Sequence, residues 1–110
     1  MSSLVAQAIS KTYQTGVETS LTVLKEASLS LSGGESVAIL GPSGSGKSTL
    51  LAILGTLDSP TTGNLEINRT NPFELSEPSL ALFRSEQIGF VFQDHHLLPQ
   101  CTVLENVVVP

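Results

Sequence analysis

Gly41-Pro42-Ser43-Gly44-Ser45-Gly46-Lys47-Ser48-Thr49 satisfies the phosphate-binding pattern Gly-x4-Gly-Lys-[Ser/Thr] at every fixed position. The residue types follow from the chemistry. A nucleoside triphosphate presents a dense cluster of anionic oxygens. Small residues at 41, 43, 44, 45 and 46 let the backbone curl until successive N–H groups point at the β-phosphate. Lys47 brings a full positive charge to the β/γ oxygens, and the Ser48 hydroxyl is placed to ligate Mg2+. A helix starting here turns its positive N-terminal end toward the same phosphates.

The flanks fit the motif. Ser36-Val37-Ala38-Ile39-Leu40 is a short apolar run between Gly33-Gly34 and Gly41, which predicts a buried central strand. After the loop, Leu50, Leu51, Ile53, Leu54 and Leu57 recur at helical spacing, and Gly55 marks the helix end. The alternative is a plain Gly/Ser-rich turn between a strand and a helix, and the two satisfied flanks favour the phosphate loop over it.

At 110 residues the chain is at most one small domain. Apolar residues make up 40%, enough for a core. The net charge of −5 argues against a nucleic-acid partner, which favours a basic stripe. No apolar run approaches the roughly 18 residues of a membrane-spanning helix. Met1-Ser2-Ser3-Leu4 has neither the charged nor the apolar region of a secretory signal. The single cysteine, Cys101, forms no internal disulfide and fits a reducing cytosol. Parallel sheets wrapped by helices usually need a longer chain. The apolar end at Val107-Val108-Val109-Pro110 therefore reads as a cut. Exposed apolar faces and unpaired strand edges are then expected to leave the isolated chain marginal or aggregation-prone.

In chain order, residues 4–13 read as a strand with Val5, Gln7, Ile9, Lys11 and Tyr13 on one face. A hairpin connection follows around Thr15-Gly16. Residues 21–32 alternate, with Ala27, Leu29 and Leu31 inward and Ser28, Ser30 and Ser32 outward. The cluster 58–63 is a turn, 64–68 a short strand, and Thr70-Asn71-Pro72 a breaker. Ser76 is placed to cap a helix with Glu77 and Pro78 in its first turn and Leu80, Leu82 and Phe83 as its apolar residues. Ile88-Gly89-Phe90-Val91-Phe92-Gln93 reads as a second buried strand, 94–99 as a loop, and Thr102-Val103-Leu104-Glu105 as the capped start of another helix.

A tyrosine in the first strand, a hairpin before the phosphate loop and a later apolar strand ending in glutamine resemble the ATP-binding subunit of ABC transporters. The resemblance runs over essentially the whole chain. It implies an α/β fold of the P-loop NTPase, ABC ATPase type. The fold is expected to be incomplete: an N-terminal antiparallel β subdomain plus the start of the parallel-sheet core. Residues 1–110 are then the N-terminal portion of a single ATP-binding domain, truncated after the glutamine loop. Residues 57–63, Arg84 with 88–93, and His95-His96-Leu97-Leu98-Pro99 are most similar to the branch serving lipoprotein release and macrolide-type export.

The resemblance implies site roles. The nucleotide meets Gly41, Pro42, Ser43, Gly44, Ser45, Gly46, Lys47, Ser48 and Thr49, with Thr49 near the α-phosphate. Tyr13 stacks on adenine; without the family it reads as an edge-strand aromatic packing on its neighbours. Gln93 reaches Mg2+ and the attacking water; without the family it is a polar strand end. Lys47 and Gln93 are the catalytic candidates, Ser48 and Gln93 the metal candidates, and ATP and Mg2+ the cofactors. The implied partners are integral-membrane permease subunits and a second ATP-binding subunit in a dimer, on the cytoplasmic face of a bacterial inner membrane.

Three stretches mimic functional motifs. Leu31-Ser32-Gly33-Gly34-Glu35 looks like the family's signature sequence, but it ends an alternating strand and leaves no room for a helix before Gly41, so it reads as a turn. Asp94 follows an apolar run with Gln93 intervening, so it is a poor Walker B carboxylate. If it bound Mg2+ the chain would be a small P-loop kinase. His95-His96 point to opposite sides of an extended chain and suit a solvated loop or partner surface better than a shared metal. Glu105 reads as a helix cap.

These 110 residues contain no apolar strand ending in Asp-Glu, no signature helix and no switch histidine after a later strand. The expected function is thus an ATPase subunit driving a permease. The alternative is a truncated nucleotide-binding fragment that binds ATP without hydrolysing it.

Overall fold

The computed structural model describes residues 2–42, 44–91 and 102–104. Strand β1 (Ser2–Gln14) and strand β2 (Ser20–Ser32) form a long antiparallel hairpin. Its tip is closed by the Thr15 amide donating to the Thr19 carbonyl at 3.0 Å. After the phosphate loop comes helix α1 (Lys47–Leu54), then strand β3 (Thr62–Ile67) and helix α2 (Glu77–Gln87). β3 pairs antiparallel with the far edge of β1, so the sheet order is β2-β1-β3.

The hairpin forms where the alternation predicts it, with Ser28 and Ser30 exposed and Ala27, Leu29 and Leu31 half-buried. β1 departs from simple alternation. Ala8 and Glu26 adopt positive φ, 50° and 49°, beside register shifts in the ladder. Each bulge leaves an amide outside the ladder, and a serine on the paired strand accepts it. The Ala8 amide donates to Ser28 Oγ at 3.0 Å and the Glu26 amide to Ser10 Oγ at 2.9 Å. The extra residue switches the face of everything after it. Ala6 and Ile9 are therefore the buried pair, whereas Gln7, expected on the Ile9 face, is exposed.

The core lies between one face of this sheet and α1. Ala6 and Ile9 from β1, Leu24 from β2, Leu65 and Ile67 from β3, and Ile53 from α1 are buried together. The β1–β3 register sets Leu4 opposite Ile67 and Ala6 opposite Leu65, which stacks the apolar residues of both strands on one side. Ile9, Ile53 and Leu65 are completely buried. Each contributes about 1.5–3 kcal/mol by leaving water.

α1 ends at Leu54 as the Gly55 signal predicts, but the left-handed residue is Thr56 (φ 63°), not Gly55 (φ −88°). A β-branched residue there is strained. Arg84 of α2 holds it: Nε donates to Thr56 Oγ1 and a terminal nitrogen to the Thr56 carbonyl, both at 2.9 Å. In α2, Ser76 occupies the N-cap position but makes no capping bond to the backbone; its hydroxyl contacts Ser79 Oγ at 3.1 Å. Leu82, expected to be an apolar contact, is 59% exposed, whereas Phe83 packs against the core. The Asn71 breaker caps a short 3-10 turn, accepting the Phe73 amide at 3.0 Å.

Two expected strands are not formed. Residues 36–40 belong to no strand, and Leu40 is 89% exposed. Residues 88–91 are likewise unladdered, with Val91 fully exposed. Among the described residues the laddered sheet is the antiparallel one, and the start of the core consists of the unladdered segment 36–40, the phosphate loop and α1. The physical reason is that a strand is a pairwise object. An apolar extended segment becomes buried sheet only beside a partner, and none of the three described strands borders 36–40. Phe92, Gln93 and residues 94–101 lie outside the described residues, as does Glu105; Val103 and Leu104 are helical after Thr102, as the capping signal there predicts.

Candidate functional site

The phosphate loop closes onto α1 through glycine geometry. Gly44 and Gly46 both have positive φ, 82° and 89°. Gly46 is the N-cap of α1 and sits tight against β2. A Cβ on it would collide with the Val23 carbonyl oxygen and come to 3.0 Å from Leu24 Cδ2. Gly44 has nothing within 4 Å of such an atom. The Ser45 amide donates to the Pro42 carbonyl at 3.2 Å and the Leu50 amide to the Gly46 carbonyl at 2.9 Å. The amides of Lys47, Ser48 and Thr49 precede the first intrahelical bond and have no partner within the helix.

No side chain caps α1 and its first turn holds no acidic residue, so no carboxylate of the helix itself competes for its positive end. Lys47 Nζ donates to the Gly41 carbonyl across the loop. Ser48 is exposed and Thr49 half-buried. This is a built anion cradle: curled backbone, unpaired helix amides, one lysine on its inner edge and one hydroxyl at its rim. Its donors suit phosphate, and the Ser48 hydroxyl suits a hard cation riding on phosphate oxygens. Pro42 is exposed and Gly41 half-buried; Ser43, like Gln93, lies outside the described residues.

Tyr13 stands near the end of β1, 39% exposed. Its hydroxyl donates to Asp58 Oδ2 at 2.7 Å, and Lys11 Nζ lies over its ring, 5.0 Å from the centroid. Lys11 also donates to Asp58 Oδ1 at 3.1 Å and to the Ser59 carbonyl at 2.7 Å. The hydrogen bond to Asp58 raises the Tyr13 phenol above its ordinary value, partial desolvation adds to this, and Thr49 acts on the same phenol in the opposite sense. The Tyr13 bond in turn holds the Asp58 carboxyl below its ordinary value, opposed by desolvation and helped by Lys11 and the Ser59 amide. Tyr13 is thus within reach of Thr49, in the first turn of α1.

Sequence reasoning misses Asp58 and Lys11 as parts of this site. Asp58 reads as a turn residue, 45 positions from the tyrosine it binds. The one local signal is the Lys11/Tyr13 spacing, two apart on a strand and so on one face. The Leu31–Glu35 segment is a turn, with the Glu35 amide on the Ser32 carbonyl at 3.1 Å and the Glu35 carboxylate accepting the Ser32 amide at 2.8 Å. Among the described residues no His/Cys/Asp/Glu group could hold a metal; His95, His96 and Asp94 lie outside them. No described helix is long and apolar enough to cross a membrane.

A β-hairpin feeding a glycine loop that opens a helix, with an aromatic beside that helix, defines a P-loop nucleotide-binding protein. Comparison with known proteins narrows the class. The family model described as ABC transporter matches residues 24–109, and the chain belongs to that family. It is 55% identical over 97% of its length to the lipoprotein-releasing system ATP-binding protein LolD 1 of Rhodopirellula baltica, covering 46% of that protein. It is 50% identical over its whole length to LolD of Geobacter metallireducens, covering 49% of it. Among solved structures it superposes with a TM-score of 0.85, at 44% identity, on a dimeric ATP-binding cassette in a post-hydrolysis state bound to ADP and Pi. That match covers 94% of this chain and 44% of the other. The chain spans about half the length of the relatives it matches.

Proposed function

We propose that this chain is the nucleotide-holding part of an ABC transporter ATPase whose complete polypeptide binds MgATP and couples its hydrolysis to a membrane permease. The observation that carries the reading is the anion cradle. Two positive-φ glycines curl the loop into the uncapped N-terminal turn of α1, and Lys47 reaches back across that loop to the Gly41 carbonyl. Lys47 swings from the Gly41 carbonyl to the β/γ oxygens, exchanging a neutral acceptor for a charged one. The amides of residues 44–49 hold the β-phosphate, Thr49 stands near the α-phosphate, and Tyr13 stacks on the base. Ser48 and Gln93 are the residues to hold Mg2+, which when bound neutralises charge on the transferring phosphoryl group.

Kinship with LolD proteins supports lipoprotein release as the transported process. The dimeric state of the solved relatives supports a second ATP-binding subunit as partner. Working with a permease places the protein at the cytoplasmic face of a bacterial inner membrane. These 110 residues hold phosphate but contain no Asp-Glu strand to orient the attacking water, so by themselves they bind without turnover.

Lys47→Ala in the complete polypeptide tests the reading. A hydrogen bond to a charged group contributes about 1.5–3 kcal/mol, so ATP affinity by calorimetric titration is expected to fall roughly tenfold or more and ATPase activity to vanish. ATP binding unchanged within a factor of about two refutes the assignment.

A further inference from the structure

We propose that Asp58 is a positioning residue for nucleotide base recognition: with Lys11 it locks the Tyr13 ring in one orientation and ties that ring to the helix that carries the phosphate loop. The inference rests on the reading that Tyr13 meets the base.

Both carboxylate oxygens of Asp58 are engaged. Oδ2 accepts the phenol at 2.7 Å, while Oδ1 accepts Lys11 Nζ at 3.1 Å and the Ser59 amide at 2.8 Å. Asp58 itself is fastened to α1, its amide directed at the Ala52 carbonyl at 3.3 Å. One residue therefore bridges the two elements, its side chain on the strand that presents the ring and its backbone amide on the helix that presents the phosphate amides. Lys11, clamped by Asp58 and the Ser59 carbonyl, lies over one face of the ring, 5.0 Å from its centroid. A base then meets the opposite face. A tyrosine 39% exposed at a strand end would otherwise sample several rotamers, and binding would have to order it. Holding the ring at its hydroxyl and on one face removes that cost before the nucleotide arrives. Because the hold acts on the base side, it affects nucleotides carrying a base and leaves bare polyphosphate indifferent.

The experiment uses the complete polypeptide and two probes, MgATP and inorganic tripolyphosphate, against wild type, Asp58→Ala, Asp58→Asn, Tyr13→Ala and the Asp58→Ala/Tyr13→Ala double variant. Asp58→Ala is expected to weaken ATP by about three- to tenfold, the cost of ordering one side chain on binding, and to leave tripolyphosphate unchanged. Asp58→Asn, which keeps an acceptor for the phenol, recovers part of the loss. In the Tyr13→Ala background the Asp58 substitution has no further effect on ATP. The ring-carbon NMR signal of Tyr13, assigned by its loss in Tyr13→Phe, moves in Asp58→Ala. Equal weakening of ATP and tripolyphosphate by Asp58→Ala, or an undiminished Asp58 effect in the Tyr13→Ala background, overturns the proposal while leaving base stacking intact. If Tyr13→Ala itself leaves the ATP-to-tripolyphosphate ratio unchanged, the stacking reading fails and this inference with it.

Discussion

Gly44→Ala and Gly46→Ala make a matched pair in which the same methyl group is added to two left-handed residues in different surroundings. At φ 82° and 89° both variants incur the cost of placing an L-residue in the left-handed region, about 1–2 kcal/mol. At Gly44 the new Cβ enters open space, so that is the whole cost. At Gly46 it strikes the Val23 carbonyl and presses on Leu24 Cδ2 at 3.0 Å. A backbone atom of β2 cannot swing aside as a side chain would. The loop must lift off the sheet, an overpacking cost of a further roughly 1–3 kcal/mol. Gly46→Ala is thus expected to lose about 2–5 kcal/mol in total, and to weaken ATP as well, because the displaced N-cap redirects the first amides of α1. Urea unfolding of the complete polypeptide, with the slope held common to the variants, gives the stability difference, and calorimetric titration with MgATP gives the affinity. Equal midpoints for the two variants, or a Gly46→Ala protein that binds ATP like wild type, would refute the seating of the loop against β2.

The remaining predictions concern parts that hold the site in place. Arg84→Ala removes two hydrogen bonds to a buried, strained Thr56 and should cost about 2–3 kcal/mol. Arg84→Lys, lacking the planar fork, should recover less than half of it, as read by the same unfolding assay. Ile53→Ala empties the centre of the core and should cost about 2–5 kcal/mol; a loss below about 1 kcal/mol would mean that α1 does not pack on this sheet. The Tyr13–Asp58 contact should show a defined pH window. The Asp58 carboxyl is held below its ordinary value of 3.8, so the contribution is complete above that value and disappears as pH falls through the lower folded one. The phenol is raised above 10.0, so on the alkaline side the contribution is complete below that value and is lost as pH rises through the folded one. Melting temperatures of wild type and Asp58→Asn compared across pH check both signs, since the difference between them should shrink at the two extremes.

Residues 41–49, the start of α1 at Lys47 and the strand face of Ala27, Leu29 and Leu31 were all legible in the sequence. They follow from local rules: glycines where the backbone must turn left-handed, period two on a half-buried strand, and apolar spacing on a short helix. The rest depends on who lies beside whom. The bulge at Ala8 brings Ala6 and Ile9 onto one buried face of β1 and leaves Gln7 exposed, and it lies where the ladders to β2 and β3 both shift register. The segments 36–40 and 88–91 carry strand sequences but form no ladder, because a strand requires a neighbour. The hydrogen bonds from Tyr13 to Asp58 and from Arg84 to Thr56 join residues 45 and 28 positions apart, and no local pattern records such a distance. The sequence alone therefore determined that a phosphate loop is present and where its helix begins. Only the tertiary structure decided which side chains fasten that loop to the sheet and which carboxylate holds the tyrosine beside it, because those contacts are made by the packing of separate elements.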